Sequence, residues 1–135
     1  MNATKSQGWA VLFLLMCATA FSGGCGSGFK LAQVSGTVTV DGAPVPNLQV
    51  VFEPQDKTQP SSIGFTQADG KYELRCSSGE PGAVPGAHTV RVTTVETDDP
   101  AGPPLTIPAK YNTSSQLTNE VKPGANTINV EITRR

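Results

Sequence analysis

Val34-Ser35-Gly36-Thr37-Val38-Thr39-Val40-Asp41-Gly42-Ala43-Pro44-Val45-Pro46-Asn47-Leu48-Gln49-Val50-Val51-Phe52 holds two strands and the turn between them. Val34, Gly36, Val38 and Val40 fall on one parity and Ser35, Thr37 and Thr39 on the other, the period of two that puts one face of a strand in a core. Leu48, Val50 and Phe52 repeat the pattern. Between the strands, Asp41-Gly42 supplies the left-handed backbone of a tight turn, and Pro44 and Pro46 cannot donate to a central ladder. The stretch therefore predicts a β-structure with one buried side.

The same grammar runs on to the end of the chain: short runs rich in Val, Ile and Thr, separated by Gly, Pro, Asn and Asp clusters about every 8 to 12 residues. Ile63 and Phe65 mark a short strand, Ala68-Asp69-Gly70 a tight turn, and 71–75 its hairpin partner with Tyr72 and Leu74 inward. Val90 and Val92 give 88–95 an inward face. A closing hairpin joins 117–121, through Lys122-Pro123-Gly124-Ala125-Asn126, to Ile128, Val130 and Ile132. By parity Phe52, Phe65 and Tyr72 belong to the core. Residues 55–61, 79–86 and 96–108 read as loops, the last carrying Pro100, Pro103, Pro104 and Pro108. No stretch shows a helical repeat with capping signals, so the chain is read as all-β, seven strands in two antiparallel sheets.

These residues also carry a resemblance. The opening stretch resembles the first strands of carboxypeptidase regulatory-like domains. Thr66-Gln67-Ala68-Asp69-Gly70-Lys71-Tyr72-Glu73-Leu74 is similar to the T-x-x-D-G-x-Y-x-L hairpin of that family, and Pro85-Gly86-Ala87-His88-Thr89-Val90-Arg91-Val92 to its P-G-x-Y-x-V-x-V strand, with His88 where an aromatic is usual. Ile107-Pro108-Ala109-Lys110-Tyr111-Asn112 and Val121-Lys122-Pro123-Gly124-Ala125-Asn126 resemble the later part of small bacterial lipoproteins built on this domain. The resemblance covers 33–135 and implies a seven-stranded, transthyretin-like Greek-key sandwich without enzymatic activity.

Ahead of the domain, residues 1–24 have the parts of an export signal: Lys5 in a short polar start, the apolar run from Trp9 to Phe21, and Ser22-Gly23-Gly24 before Cys25. That run is 13 residues long, whereas a bilayer-spanning helix takes roughly 20. Small residues followed by cysteine resemble the site cut and lipidated in bacterial lipoproteins. Ser22 stands where that motif prefers an aliphatic residue. The resemblance implies cleavage after Gly24 and a thioether-linked diacylglycerol on Cys25, often joined by a third chain such as palmitate. Residues 25–32 then form the lipidated end and tether, and Gly26, in place of the Asp that retains some lipoproteins in the inner membrane, leans towards the outer membrane or cell surface.

Cleavage would leave 111 of the 135 residues, with 9 basic and 11 acidic side chains, a net charge of −2 and no tryptophan. That is one domain's length. No basic stripe is present to neutralise phosphates, which argues against nucleic-acid binding. Cys17 leaves with the signal and Cys25 is taken by lipid, so Cys76 has no disulfide partner.

The remaining candidates for chemistry are few. A general base would have to be the single histidine, His88, or a carboxylate; His88 shares parity with Val90 and Val92, which reads as core. The transthyretin fold also hosts hydroxyisourate hydrolases, but these need several histidines and a C-terminal Tyr-Arg-Gly-Ser, and this chain ends Ile132-Thr133-Arg134-Arg135. Cys76 shares parity with Tyr72 and Leu74 and reads as a small buried hydrophobe rather than a reactive thiol. One His and one Cys do not make a zinc site, and Asp98-Asp99 lacks the repeated acids of a calcium loop. No cofactor or metal is expected. Lys30, Lys71 or Lys110 with Asn119 or Asn129 would supply the residue types of an internal isopeptide bond, with nothing in the sequence to bring them together.

Two functions from different classes remain. The first is a non-catalytic, membrane-anchored β-sandwich of the cell envelope that contacts a protein or glycan. The second is a soluble-ligand or carbohydrate binder whose pocket is made by loops 55–61, 79–86 and 96–108, with Tyr111 as the loop-side aromatic and Phe29 the one in the tether.

Overall fold

A computed structural model describes residues 30–96 and 105–135. These residues form two sheets, with a single 3-10 turn, Ala109–Tyr111, as the only helical element among them. The ten strand segments are β1 (Gln33–Val40), β2 (Ala43–Pro44), β3 (Leu48–Pro54), β4 (Ser62–Phe65), β5 (Lys71–Glu73), β6 (Arg75–Cys76), β7 (Gly86–Thr94), β8 (Thr118–Val121), β9 (Ala125–Thr127) and β10 (Val130–Ile132). One sheet is built around β1, with β9 and β10 along one side and β5 and β2 along the other. The second runs β6-β4-β3-β7-β8.

The alternation read from the sequence is what packs the sheets together. Val34, Val38 and Val40 of β1 are buried against Leu48, Val50 and Phe52 of β3 and Val90 and Val92 of β7, with Tyr72, Leu74, Val121, Val130 and Ile132 completing the core. Burying each such side chain contributes roughly 1.5–3 kcal/mol relative to leaving it in water. Asp41 (φ 51°) and Gly42 (φ 87°) form the left-handed turn between β1 and β2, and Pro44 sits on a strand that leaves its nitrogen side unpaired, as proline requires.

Several expectations are corrected. The first sheet is not wholly antiparallel: β1 pairs in parallel with β9, Gln33 opposite Ala125, and with β10, Val38 opposite Val130. Alternation states which face is buried, not which strand lies alongside. The first expected hairpin forms only at its base, where Ile63 lies opposite Arg75, and the closing hairpin does not form. β4 pairs with β3 and β6 in one sheet while β5 pairs with β1 in the other, and β8 pairs with β7 while β9 crosses to β1. The chain changes sheets at buried Leu74, whose N–H donates to Val34 O at 2.9 Å and whose carbonyl accepts from Gly82 N at 2.8 Å. That crossing needs Gly64, where a Cβ would stand 2.6 Å from the Glu73 carbonyl oxygen.

The parity of β4 is also reversed. Ser62 and Gly64 face inward and Phe65 is 56% exposed. Ser62 donates to Gly82 O at 3.0 Å, and buried Thr66 accepts the Leu48 N–H on its hydroxyl at 2.9 Å. These polar contacts favour the small and hydroxylated residues inside, against the apolar parity of Ile63 and Phe65. The last strand, expected on Ile128, Val130 and Ile132, begins already at Ala125 inside the expected turn, and it is split in two because the Ile128 carbonyl turns inward over Gly36 and accepts the Tyr72 hydroxyl at 2.6 Å. Asn129 then offers its side-chain Oδ1 to the Thr37 N–H at 3.0 Å.

A Cβ at Gly36 would overlap the Ile128 carbonyl. Gly36→Ala is expected to cost at least the ~1–3 kcal/mol of an overpacked core, and Tyr72→Phe about 1–3 kcal/mol for the carbonyl left without its donor. Both are measured as a lower urea midpoint of fragment 26–135 at unchanged m-value. A midpoint like that of the parent for either variant contradicts this account.

Candidate functional site

Cys25, with Phe29 and Asp98-Asp99, lies outside the described residues. What the structure fixes is where the tether ends. Ala32, placed by the sequence in the tether, exchanges backbone hydrogen bonds with Ala83, Ala32 N to Ala83 O at 2.8 Å and Ala83 N to Ala32 O at 2.9 Å.

His88 is fully buried on the inner face of β7, beside the Phe52 ring at 5.8 Å between centroids. Its Nε2 lies 2.6 Å from the Val84 carbonyl, so Nε2 carries the proton and donates, while Nδ1 has no partner. A ring enclosed in this way has no access to a substrate proton. The structure places it as an aromatic core residue with one polar tie.

Cys76 is 3% exposed, at the end of β6. Burial pushes its thiol up, but the Ser78 backbone N–H and the hydroxyls of Ser78, Ser62 and Ser77 outweigh that and hold it below the usual thiol range. Enclosure decides its chemistry nonetheless, because a thiolate must be reached to react. The two residues with the best claim to nucleophilic or base chemistry thus point into the interior, on strands separated by β4 and β3.

Among the described residues no group of three or more His, Cys, Asp or Glu side chains is placed to hold a metal ion. Three of the five lysine and asparagine candidates are engaged elsewhere: Lys71 faces Asp69 at 3.9 Å, Lys110 donates to Arg135 O at 3.2 Å, and exposed Asn129 is taken by Thr37. Isopeptide formation requires a lysine and asparagine sheltered together, and all three lysines and Asn129 lie at the surface, with Asn119 half-buried.

The three loops expected to share one pocket start from both ends of the second sheet, and residues 97–104 of the third lie outside the described residues. β7 is antiparallel to β3, so 55–61 and 79–86 meet at one end, where Gln55 N donates to Ala87 O at 3.0 Å. Residue 96 leaves from the other end, next to Val95 N donating to Asn47 O at 3.0 Å; those ends are about 20 Å apart at roughly 3.4 Å per residue. A cleft bordered by Gln33, Ser35, Glu73, Leu74, Pro81 and Gly82 offers about 150 Å³, below the roughly 300–1,000 Å³ of a small-molecule site.

Tyr111 is half-buried against the core, its hydroxyl accepting the Thr133 N–H at 3.3 Å and its ring 5.0 Å from the Lys110 ammonium. The Thr133 backbone N–H holds the phenol below its ordinary range. Beside it, Arg134 clasps Asp41 through its backbone N–H at 3.1 Å and Nε at 2.7 Å. The guanidinium hydrogen bond, ahead of the backbone one, holds the Asp41 carboxyl below the usual range.

Among the described residues Phe65, missed by the parity reading, is the exposed aromatic. It lies opposite Gln49 on β3, which faces Thr93 on β7, and the Thr93 hydroxyl donates to Gln49 Oε1 at 3.2 Å. The next row carries Ile63, Val51 and Arg91, and Arg91 pairs with Glu53 at 3.4 Å. The result is an outer sheet face with one flat ring, an amide and a guanidinium-carboxylate pair. In Ser62-Ile63-Gly64-Phe65-Thr66 the apolar parity, Ile63 and Phe65, faces outward, so alternation points to the wrong face and gives no signal of the exposed ring.

No protein-family model, curated protein or solved structure matches this chain.

Fragment 26–135 contains Cys76 as its sole cysteine. Ellman's reagent is expected to leave it unmodified in buffer and to titrate one thiol in denaturant. Rapid stoichiometric labelling of the native fragment would show a reactive, accessible thiol instead.

Proposed function

We propose that this chain is a non-catalytic lipoprotein of the bacterial cell envelope, held in the membrane by lipid on Cys25 and displaying a β-sandwich that contacts a protein or glycan. The observation that carries the reading is the junction of Ala32 with Ala83: the folded part starts seven residues after Cys25, and only a Gly- and Ser-containing tether separates them. Enclosure of both His88 and Cys76 supports the non-catalytic role. Gly26 after the cysteine favours the outer membrane or cell surface over the inner membrane.

The finer fold reading is a seven-stranded Greek-key sandwich of the carboxypeptidase regulatory-like, transthyretin-like type, with β5 and β6, and β9 and β10, each counted as one interrupted strand and β2 as part of the turn after β1. Its support is the work done by the motif residues. Asp69 Oδ1 accepts the Lys71 N–H at 3.1 Å, Gly70 takes φ 77° close against Pro44, and Tyr72 reaches Ile128. Parallel pairing of β9 and β10 with β1 modifies the all-antiparallel arrangement.

Cys25→Ala is expected to shift the protein from the detergent to the aqueous phase on phase separation, and an unchanged partition refutes lipid anchoring. A lipid anchor contributes about 0.8 kcal/mol per buried methylene, so the change should be close to complete.

The second reading, carbohydrate binding, is favoured by one observation, the exposed Phe65 ring beside Gln49 and the Arg91-Glu53 pair. In pull-downs on isolated envelope polysaccharide, Phe65→Ala should then reduce retention by at least tenfold, the size of one lost stacking contact of about 1.4 kcal/mol, with the melting temperature unchanged. Equal retention of parent and variant removes this second reading.

A further inference from the structure

We infer that the end of the sandwich formed by Ala32, the 55–61 and 77–85 turns and the Lys122-Pro123-Gly124 turn is seated on the phosphate headgroups of the membrane, and that the Asp41-Arg134 end faces away from it. The inference rests on the lipid anchor at Cys25 and specifies how that anchor presents the domain.

Its first support is length. From Cys25 to Ala32 the chain takes seven steps, a reach of at most about 25 Å. Ala32 is fixed to Ala83, Gln33 N donates to Gly124 O at 2.9 Å, and Gln55 N donates to Ala87 O at 3.0 Å. These bonds gather the three turns around the point where the tether enters. From that point β1 runs eight residues, about 27 Å, to Asp41, where Asp41 N donates to Ile132 O at 2.8 Å and the Arg134 clasp closes the opposite end.

The second support is charge. Exposed Lys30, Lys57 and Lys122 all belong to the tethered end, and cations close to an anionic lipid surface each contribute on the order of 1 kcal/mol. Lys57 also faces Glu53 at 3.8 Å. Asp56, Glu80 and Glu120 share this end, and the Asp56 carboxylate turns back to accept the Thr58 N–H at 3.0 Å and its hydroxyl at 2.7 Å. The far end carries as many cations, but three are drawn to groups of its own: Arg134 to Asp41 at 2.7 Å, Lys71 to Asp69 at 3.9 Å and Lys110 to Arg135 O at 3.2 Å.

The test uses the full chain, expressed with its leader and recovered from membranes, in a Trp9→Phe background so that the reporter supplies the indole. Gln55→Trp reports from the exposed tethered end and Ala68→Trp from the exposed opposite turn, with Pro123→Trp and Gln67→Trp as a second pair if either of the first fails to fold. Each is reconstituted in phosphatidylglycerol vesicles containing headgroup-dansylated phosphatidylethanolamine. Energy transfer is expected to be several-fold stronger from Gln55→Trp than from Ala68→Trp. Equal or reversed transfer in protein that floats with the vesicles overturns the orientation and leaves the anchor standing. Protein that does not float overturns both.

Discussion

The hydrogen bond from the buried Tyr72 hydroxyl to the Ile128 carbonyl sets the terms for the rest of the first sheet. Burial pushes the Tyr72 phenol far above its ordinary range, so the group stays a neutral donor at any pH the protein meets. Its acceptor is a backbone oxygen that has left its own strand, and the departure is what separates β9 from β10. Gly36 is bare because that oxygen leans over it, and the Asn129 side chain stands in where the ladder would otherwise lose an acceptor. One side chain thus ties β5, β1 and the β9-β10 pair together, and through them both sides of the central strand.

How much of this is legible in the sequence depends on what a residue answers to. In β1, β3 and β7 the side chains answer to a core on one face and water on the other, so alternation in Val34 to Val40, Leu48 to Phe52 and His88 to Val92 gives their faces correctly. Asp41-Gly42 and Asp69-Gly70 answer to local backbone geometry and read correctly as turns. β4 answers to a crossing strand: Gly64 is small because of the Glu73 carbonyl, Ser62 is inward because of Gly82, and Phe65 is left outside. No periodicity encodes such a constraint. The parallel partners of β1 are equally silent, since a parallel and an antiparallel neighbour make the same demand on its buried face.

The candidate chemistry divides in the same way. His88 and Cys76 take their places from the alternation of β7 and β6, which turns both inward, and their parity foretold enclosure. Phe65 and the row Gln49-Thr93 became adjacent only through strand pairing, and no single segment contains that adjacency. The strand ends that launch loops 55–61, 79–86 and 96–108 follow from topology, since successive antiparallel strands deliver their loops alternately to opposite ends. The claim of Cys25 is of another kind: it rests on a processing signal in linear sequence, which needs no folded context to be read.

The parallel register of β1 and β10 also has a mechanical meaning. The chain enters the domain at Gln33 and runs towards Val40; β10 runs the same way, from Val130 to Ile132, and the Asp41-Arg134 clasp lies just beyond. Tension applied before β1, where the proposed anchor would hold the chain, and after β10 would pull the two strands past one another along their length. The bonds between them, Ile128 N to Ser35 O and Asp41 N to Ile132 O included, are then strained together in shear instead of being peeled open one at a time. A domain wired in this way transmits force between its two ends as a stiff link.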